Sequence, residues 1–416
     1  MNRAIYIYFD DAYTASPLSV GVLTAQLLRG KEVFSFEFSD EWLHDARCKL
    51  LDPDLQLFTG RQYLPNNKSN FGLFLDSSPD RWGRVLLDRR EGLRAKEEQR
   101  PISHLHESDY LLGVFDESRM GAIRLKLSPD GEFLDNDPNY SSPPFTALRD
   151  LEHASWEYEA DQANSQWLRM LLAPGSSLGG ARPKANVHMP DGSLWIAKFP
   201  SRHDDTNVGA WEAVAMTMAQ QCGIEVAPFR IEQLGNTYAT FLTRRFDRTD
   251  DLRRVHFTSA MTMLGYTDGD TAGVSYLELA EWIARSCCHV EENLAQMWKR
   301  MVFNICIHNC DDHLRNHGFL LTRQGWILSP AYDLNPQPYG VGLSLNINEH
   351  DNSLDFELAK EVAPYFGVSV AKADTMIDTI LRVVSRWRIL ATQAHISRDE
   401  QERMAGAFMT EFCNNS

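Results

Sequence analysis

Apolar positions first recur with the short period of extended chain. Residues 5–9 (IYIYF), 20–23 (VGVL) and 33–39 (VFSFEFS) are rich in β-branched and aromatic residues and are separated by turn formers, and the last alternates cleanly. This predicts three strands. The period then lengthens over residues 76–93, which run from Asp76 and Ser77 into SPDRWGRVLLDRREGL. There Trp82, Val85 and Leu86 fall on one helical stripe behind Ser78 and Asp80, two cap formers, with Pro79 near the first turn. A helix starting there and packed on the sheet is expected.

The stretch 128–145 (SPDGEFLDNDPNYSSPPF) has no periodicity and concentrates loop residues, which predicts a boundary: a β-rich region over 1–130 and a linker over 131–145. Beyond it, ANVHMP and LWIAKFP flank Asp191-Gly192, a strong hairpin signal. In NVGAWEAVAMTMAQQCG, Trp211, Val214, Ala215, Met218 and Ala219 share a helical face that Gly223 is placed to end. TYATFLTRRF (237–246) reads as a strand, and from about 275 the pattern is mostly helical. Strands followed by helices make an α+β chain.

Composition narrows the class. The 416 residues are 43% hydrophobic, with a mean hydropathy of -0.36, values of an ordinary globular protein. No run approaches the roughly 18 apolar residues of a spanning helix, and Asp10 and Asp11 interrupt the N-terminus before a signal-peptide core could form. Seven scattered cysteines fit a reducing compartment. A cytoplasmic protein with no membrane partner is expected. Aspartate and glutamate number 57 against 41 lysines and arginines, a net charge of -16. That field repels phosphate backbones, so DNA contact is expected to be local or lent by a basic partner.

Candidate chemistry concentrates in NCDDHLRNHGF (309–319). Asp311 and Asn316 have the D-x-x-x-x-N spacing of kinase catalytic loops, in which one side chain faces the attacking hydroxyl and the other a metal ion. Asp333, in LSPAYDLNP, follows where kinases place a carboxylate metal ligand. Upstream, Lys198 interrupts the apolar strand LWIAKFP and needs an anionic partner, either a phosphate or Glu212 of the next helix. GSSLGGARPKANV (175–187) offers three glycines, with Arg182 and Lys184, ahead of a strand, a turn able to aim N–H groups at phosphate. Taken singly, each has a plainer reading: Lys198 snorkelling from an edge, Glu212 solvated, Asp311 capping a helix. Their order along the chain favours the kinase reading. A rival exists in Cys306, Cys310, His313 and His317, a C-x3-C-x2-H-x3-H set offering zinc four ligands, although Cys306 shares an apolar face with Phe303 and Ile307.

Together, SPDRWGR, SSLGGARPKA, WIAKFP, LTRRFDR, NCDDHLRNHGF and SPAYDLNP resemble the HipA family of toxin serine/threonine kinases. The catalytic loop also resembles that of phosphatidylinositol-type lipid kinases. The resemblance implies a bilobal, kinase-like core behind the β-rich region, with an N-lobe over 146–250 and a helical C-lobe over 251–416. It implies ATP and magnesium as cofactors, Asp311 as catalytic base, and Asn316 and Asp333 as metal ligands. Lys198 becomes the phosphate-binding lysine, Glu212 its orienting partner, and Gly179, Gly180, Ala181, Arg182, Pro183 and Lys184 the phosphate-facing loop. His313, Leu314, Arg315, Asn316 and Tyr332 would line the nucleotide, and Arg244 and Phe246 would meet adenine through their backbone. Ser177 matches the autophosphorylated serine, with Ser176 beside it as a second acceptor. The implied substrate is a translation component, typically an aminoacyl-tRNA synthetase, and the implied partner is a HipB-like helix-turn-helix antitoxin that carries most of the DNA contact. Two alternatives stay open: a lipid or small-molecule kinase, and a catalytically silent co-repressor.

Overall fold

The computed structural model describes residues 2–64, 68–138, 141–160, 171 and 182–410. Two compact units form, Met1–Arg202 with Arg244–Thr267, and His203–Thr243 with Asp268–Ser416. Among the described residues no helix is long and apolar enough to cross a membrane.

In the first unit the three period-two stretches become neighbouring antiparallel strands, β1 (Asn2–Phe9), β2 (Leu18–Leu28) and β3 (Lys31–Phe38). Shorter strands β4 (Arg61–Tyr63) and β5 (Ile123–Lys126), which the pattern does not reveal, extend the sheet to the order β4-β3-β2-β1-β5. Alternation puts Phe34, Phe36 and Phe38 in the core. Gly21 lets β2 and β3 approach, because a Cβ there would lie 2.2 Å from the Glu37 carbonyl oxygen.

The helix expected in 76–93 spans Arg81–Glu97, capped by the Asp80 carboxylate, which accepts from Gly83 N at 2.9 Å. Pro79 precedes the cap instead of entering the first turn. Trp82 and Leu86 bury against Ala154 and Leu171, and Tyr158 meets Trp82 edge-on at 5.4 Å. The partner is thus the Leu148–Glu159 helix, where the sequence suggested the sheet. Val85 is exposed and Leu87 buried, so the stripe is rotated from the expected one.

The hairpin forms around Gly192 (φ +82°), pairing Lys184–His188 with Leu194–Lys198. Its root is a buried ionic hub. Asp247, fully buried, accepts from Arg245 (2.8 and 2.6 Å), Arg248 (2.7 Å) and Gly121 N (2.8 Å). Arg245 also donates to the Asn186 side chain within the hairpin at 3.0 Å.

The second unit begins with the helix Val208–Gln221, buried on nearly every side and closed at Gly223 (φ +71°). Strand Thr240–Arg244 is shorter than the run 237–246 suggested. The centre is the helix Val290–Cys306, whose Met297, Trp298, Met301, Val302 and Phe303 are wholly buried. Helices Tyr276–Ser286, Phe356–Val362 and Val370–Val384 accompany it, as the sequence leads one to expect. Gly318–Leu321 pairs with Trp326–Leu328. The first of these strands escapes sequence reading because all its residues are buried, so no alternation marks it.

Candidate functional site

The loop 309–319 leaves the end of the 290–306 helix and makes a single short turn at Leu314–Asn316. Leu314 is wholly buried and pins it. The two adjacent aspartates then part. Asp312 turns inward, 2% exposed, where its carboxylate accepts from the Tyr276 hydroxyl and from His317 Nε2, the latter at 2.8 Å. Asn304 donates to the same tyrosine hydroxyl at 3.3 Å. Asp311, its neighbour, is left exposed. The buried residue anchors the loop on the Tyr276–Ser286 helix, so the exposed one is held in place without spending its own oxygens on the protein.

Asn316 Nδ2 donates to the Asp311 carbonyl at 3.1 Å, which fixes the amide, while Oδ1 is buried without a hydrogen-bond partner. The segment carrying Asp333 is tied to this loop by the Tyr332 hydroxyl, which donates to the Arg315 carbonyl at 2.7 Å. On its other side Ala331 N donates to the Glu225 carbonyl at 2.7 Å. Asp333 has φ +59°, a left-handed conformation few non-glycine residues adopt, and such strain gathers at functional sites. Partial burial pushes the Asp311 carboxyl above its ordinary range, and the charges of Asp333 and Asp312 add to that push against an opposing effect of His313. Asp311, Asn316 and Asp333 therefore belong to one local arrangement.

The orphaned Asn316 amide oxygen is a hard-oxygen donor of the kind that suits magnesium. The thiol and imidazole set does not hold together. Cys306 lies in the core with its Sγ on the Met409 carbonyl at 3.2 Å, and His317 is committed to Asp312. Among the described residues no three of His, Cys, Asp or Glu converge as metal ligands, so the zinc rival is discarded. The structure adds Asp312 and Tyr276, which sequence reasoning missed. Only burial separates Asp312 from Asp311, and neighbouring identical residues give no sign of it.

The remaining candidates divide between the units. Lys198 sits directly opposite Lys184 in the first unit's hairpin, and Glu212 is buried in the second unit's 208–221 helix. Lys184 is itself 4% exposed and paired with Asp80 at 2.9 Å, while its carbonyl accepts from Trp82 Nε1 at 3.1 Å. Arg182 donates to the Phe199 carbonyl at 3.2 Å, and the Pro183 carbonyl accepts from Phe199 N at 2.9 Å. Arg244 pairs with Asp250 at 2.7 Å, and Phe246 packs on Phe257 at 5.7 Å. Arg315 is held by both oxygens of Asp268 at 2.8 Å. Ser176, Ser177, Gly179, Gly180 and Ala181 lie outside the described residues.

Residues 176–387, just over half of the chain, match the family model described as HipA-like C-terminal domain. The serine/threonine-protein kinase toxin HipA of Shewanella oneidensis is 27% identical over 191 residues, 39% of this chain and 43% of that protein. A protein of Sinorhizobium fredii that carries a kinase name is 28% identical over 219 residues, 47% of this chain and 51% of its own length. The chain spans about half the length of the curated relatives it matches. Among solved structures, HipA from the Shewanella oneidensis complex of HipA, HipB and operator DNA matches with a TM-score of 0.65 at 18% identity, over 97% of this chain and 94% of that one. That likeness is one of fold.

Proposed function

The chain belongs to the HipA-like family, and from that premise we propose that it is an ATP-dependent serine/threonine protein kinase, the toxin half of a toxin–antitoxin pair. One observation carries the reading: exposed Asp311 is held beside a buried, unpartnered Asn316 oxygen and a left-handed Asp333. Phosphoryl transfer to a hydroxyl asks mainly for a positioned base and for charge neutralisation. As the acceptor oxygen bonds to the γ-phosphorus and the bond to ADP breaks, Asp311 takes the hydroxyl proton. Its raised pKa makes the ionised form a better base than an ordinary carboxylate. Asn316 and Asp333 would hold magnesium, which when bound supplies neutralisation of the phosphate charge.

Lys198 and the loop from Gly179 to Lys184 are assigned to the nucleotide phosphates, with Lys184 offering backbone, since its ammonium is paired with Asp80. His313, Leu314, Arg315 and Tyr332 are assigned to the nucleotide, Arg244 and Phe246 to adenine, and Ser177 to autophosphorylation. A phosphate on Ser177 would compete with those of ATP for the same N–H groups. The acceptor is proposed to be a protein of the translation apparatus such as an aminoacyl-tRNA synthetase. Contact with DNA is proposed to run through a HipB-like antitoxin, a reading supported by the chain's charge of -16.

Incubation with γ-labelled ATP and a cell extract should label protein serine or threonine. Asp311→Ala should abolish labelling and growth inhibition while leaving antitoxin binding intact. Growth inhibition that survives the substitution overturns the reading, and label found only on a lipid or small molecule redirects it to another kinase class.

A further inference from the structure

Behind the loop runs a chain of hydrogen bonds through three asparagines, closed by the backbone N–H of the third. Asn309 Nδ2 donates to Asn304 Oδ1 at 3.1 Å, Asn309 Oδ1 accepts from Asn335 N at 3.3 Å, and Asn335 Nδ2 donates to Asp333 Oδ1 at 3.2 Å. Asn304 and Asn309 are each 1% exposed, so the chain is rooted in the core at the end of the 290–306 helix. The Asn335 amide has one workable orientation here, because turning it over would set its oxygen against the carboxylate it now serves. Its Oδ1 is thereby left buried and without a partner, as is that of Asn316. Asp333, at φ +59°, depends on its surroundings to keep its carboxylate aimed.

We propose that Asn335 is a positioning residue whose side-chain amide fixes the Asp333 carboxylate for a divalent cation, while its backbone N–H, donating to Asn309, ties the segment to the loop carrying Asp311. The proposal rests on the reading of Asp333 as a metal ligand. Ligating carboxylates are themselves held by hydrogen bonds, and loss of such a partner typically weakens metal affinity about 10–100-fold.

The test is a titration of the full chain with Mn2+ at saturating ADP, following free Mn2+ by electron paramagnetic resonance. Asn335→Ala should weaken Mn2+ binding about 10–100-fold, with ADP affinity in EDTA and the melting temperature close to those of the unaltered protein. Asn335→Ser keeps a donor and should fall between the two, which carries the test if the alanine variant folds poorly. Asp333→Ala should lose the ion altogether. Unchanged Mn2+ affinity in Asn335→Ala, beside its loss in Asp333→Ala, overturns the proposal alone. Unchanged affinity in Asp333→Ala overturns the metal-ligand reading of Asp333 first, and the proposal with it.

Discussion

At the scale of single residues, the adjacent pair Asp311 and Asp312 shows how burial gives chemically identical side chains opposite duties. Asp311→Asn should lower the transfer rate by about 10²–10⁴-fold, the usual worth of a general base, measured as single-turnover transfer from labelled ATP. Because partial desolvation of its carboxyl, against an opposing His313 and with the charges of Asp333 and Asp312, raises its pKa, the ionised base appears later than in a free carboxylate, and the acid limb of the rate profile should sit above the ordinary value of about 4. The same shift predicts a stability effect of opposite sign. Neutral Asp311 favours the folded state below its unfolded pKa, and that contribution is lost as pH rises through the higher folded value. Asp311→Asn should therefore melt above the unaltered protein at neutral pH, the difference closing as pH falls below about 4. Asp312→Ala strands a buried tyrosine hydroxyl and histidine and should cost about 3 kcal/mol in denaturant unfolding, in line with breaking a buried paired group.

At the scale of elements, the 81–97 helix and the 184–198 hairpin are joined at Lys184, through its ammonium and its carbonyl. Asp80 both caps the helix and neutralises Lys184 at 2.9 Å. Lys184→Met should destabilise by about 3 kcal/mol, the low end of the usual cost of removing one partner of a largely buried ion pair. Adding Asp80→Asn keeps a capping oxygen while removing the charge, so the double variant should recover most of the loss, read from denaturant midpoints. Sequence periodicity identified these elements themselves: β1 to β3, the Asp191-Gly192 hairpin and the 208–221 helix stand where alternation, turn residues and a helical stripe put them. It could not show that the Trp82 indole finds the Lys184 carbonyl, or that the Lys184 ammonium is spent on Asp80, because partners 102 and 104 positions apart leave no local pattern.

At the scale of the molecule, a charge of -16 governs encounters with other polyanions. The isolated chain should bind duplex DNA no more tightly than about 10⁻⁴ M near physiological salt, the weak end of non-specific binding, and on the proposed function a HipB-like antitoxin should bring it to DNA in a gel-shift assay. Tight operator binding by the chain alone would refute this. Linear pattern suffices for β1 to β3, the hairpin and the 208–221 helix, for the order of the kinase-like motifs and for Asp311, Asn316 and Asp333 as candidates, since spacing and residue chemistry are local properties. Folding in three dimensions selects which of two aspartates is anchored, commits Cys306 and His317 elsewhere, and sets Asn335 on Asp333. These depend on burial and on hydrogen bonds closed in space between groups that must be satisfied once water is excluded, and no linear pattern encodes them.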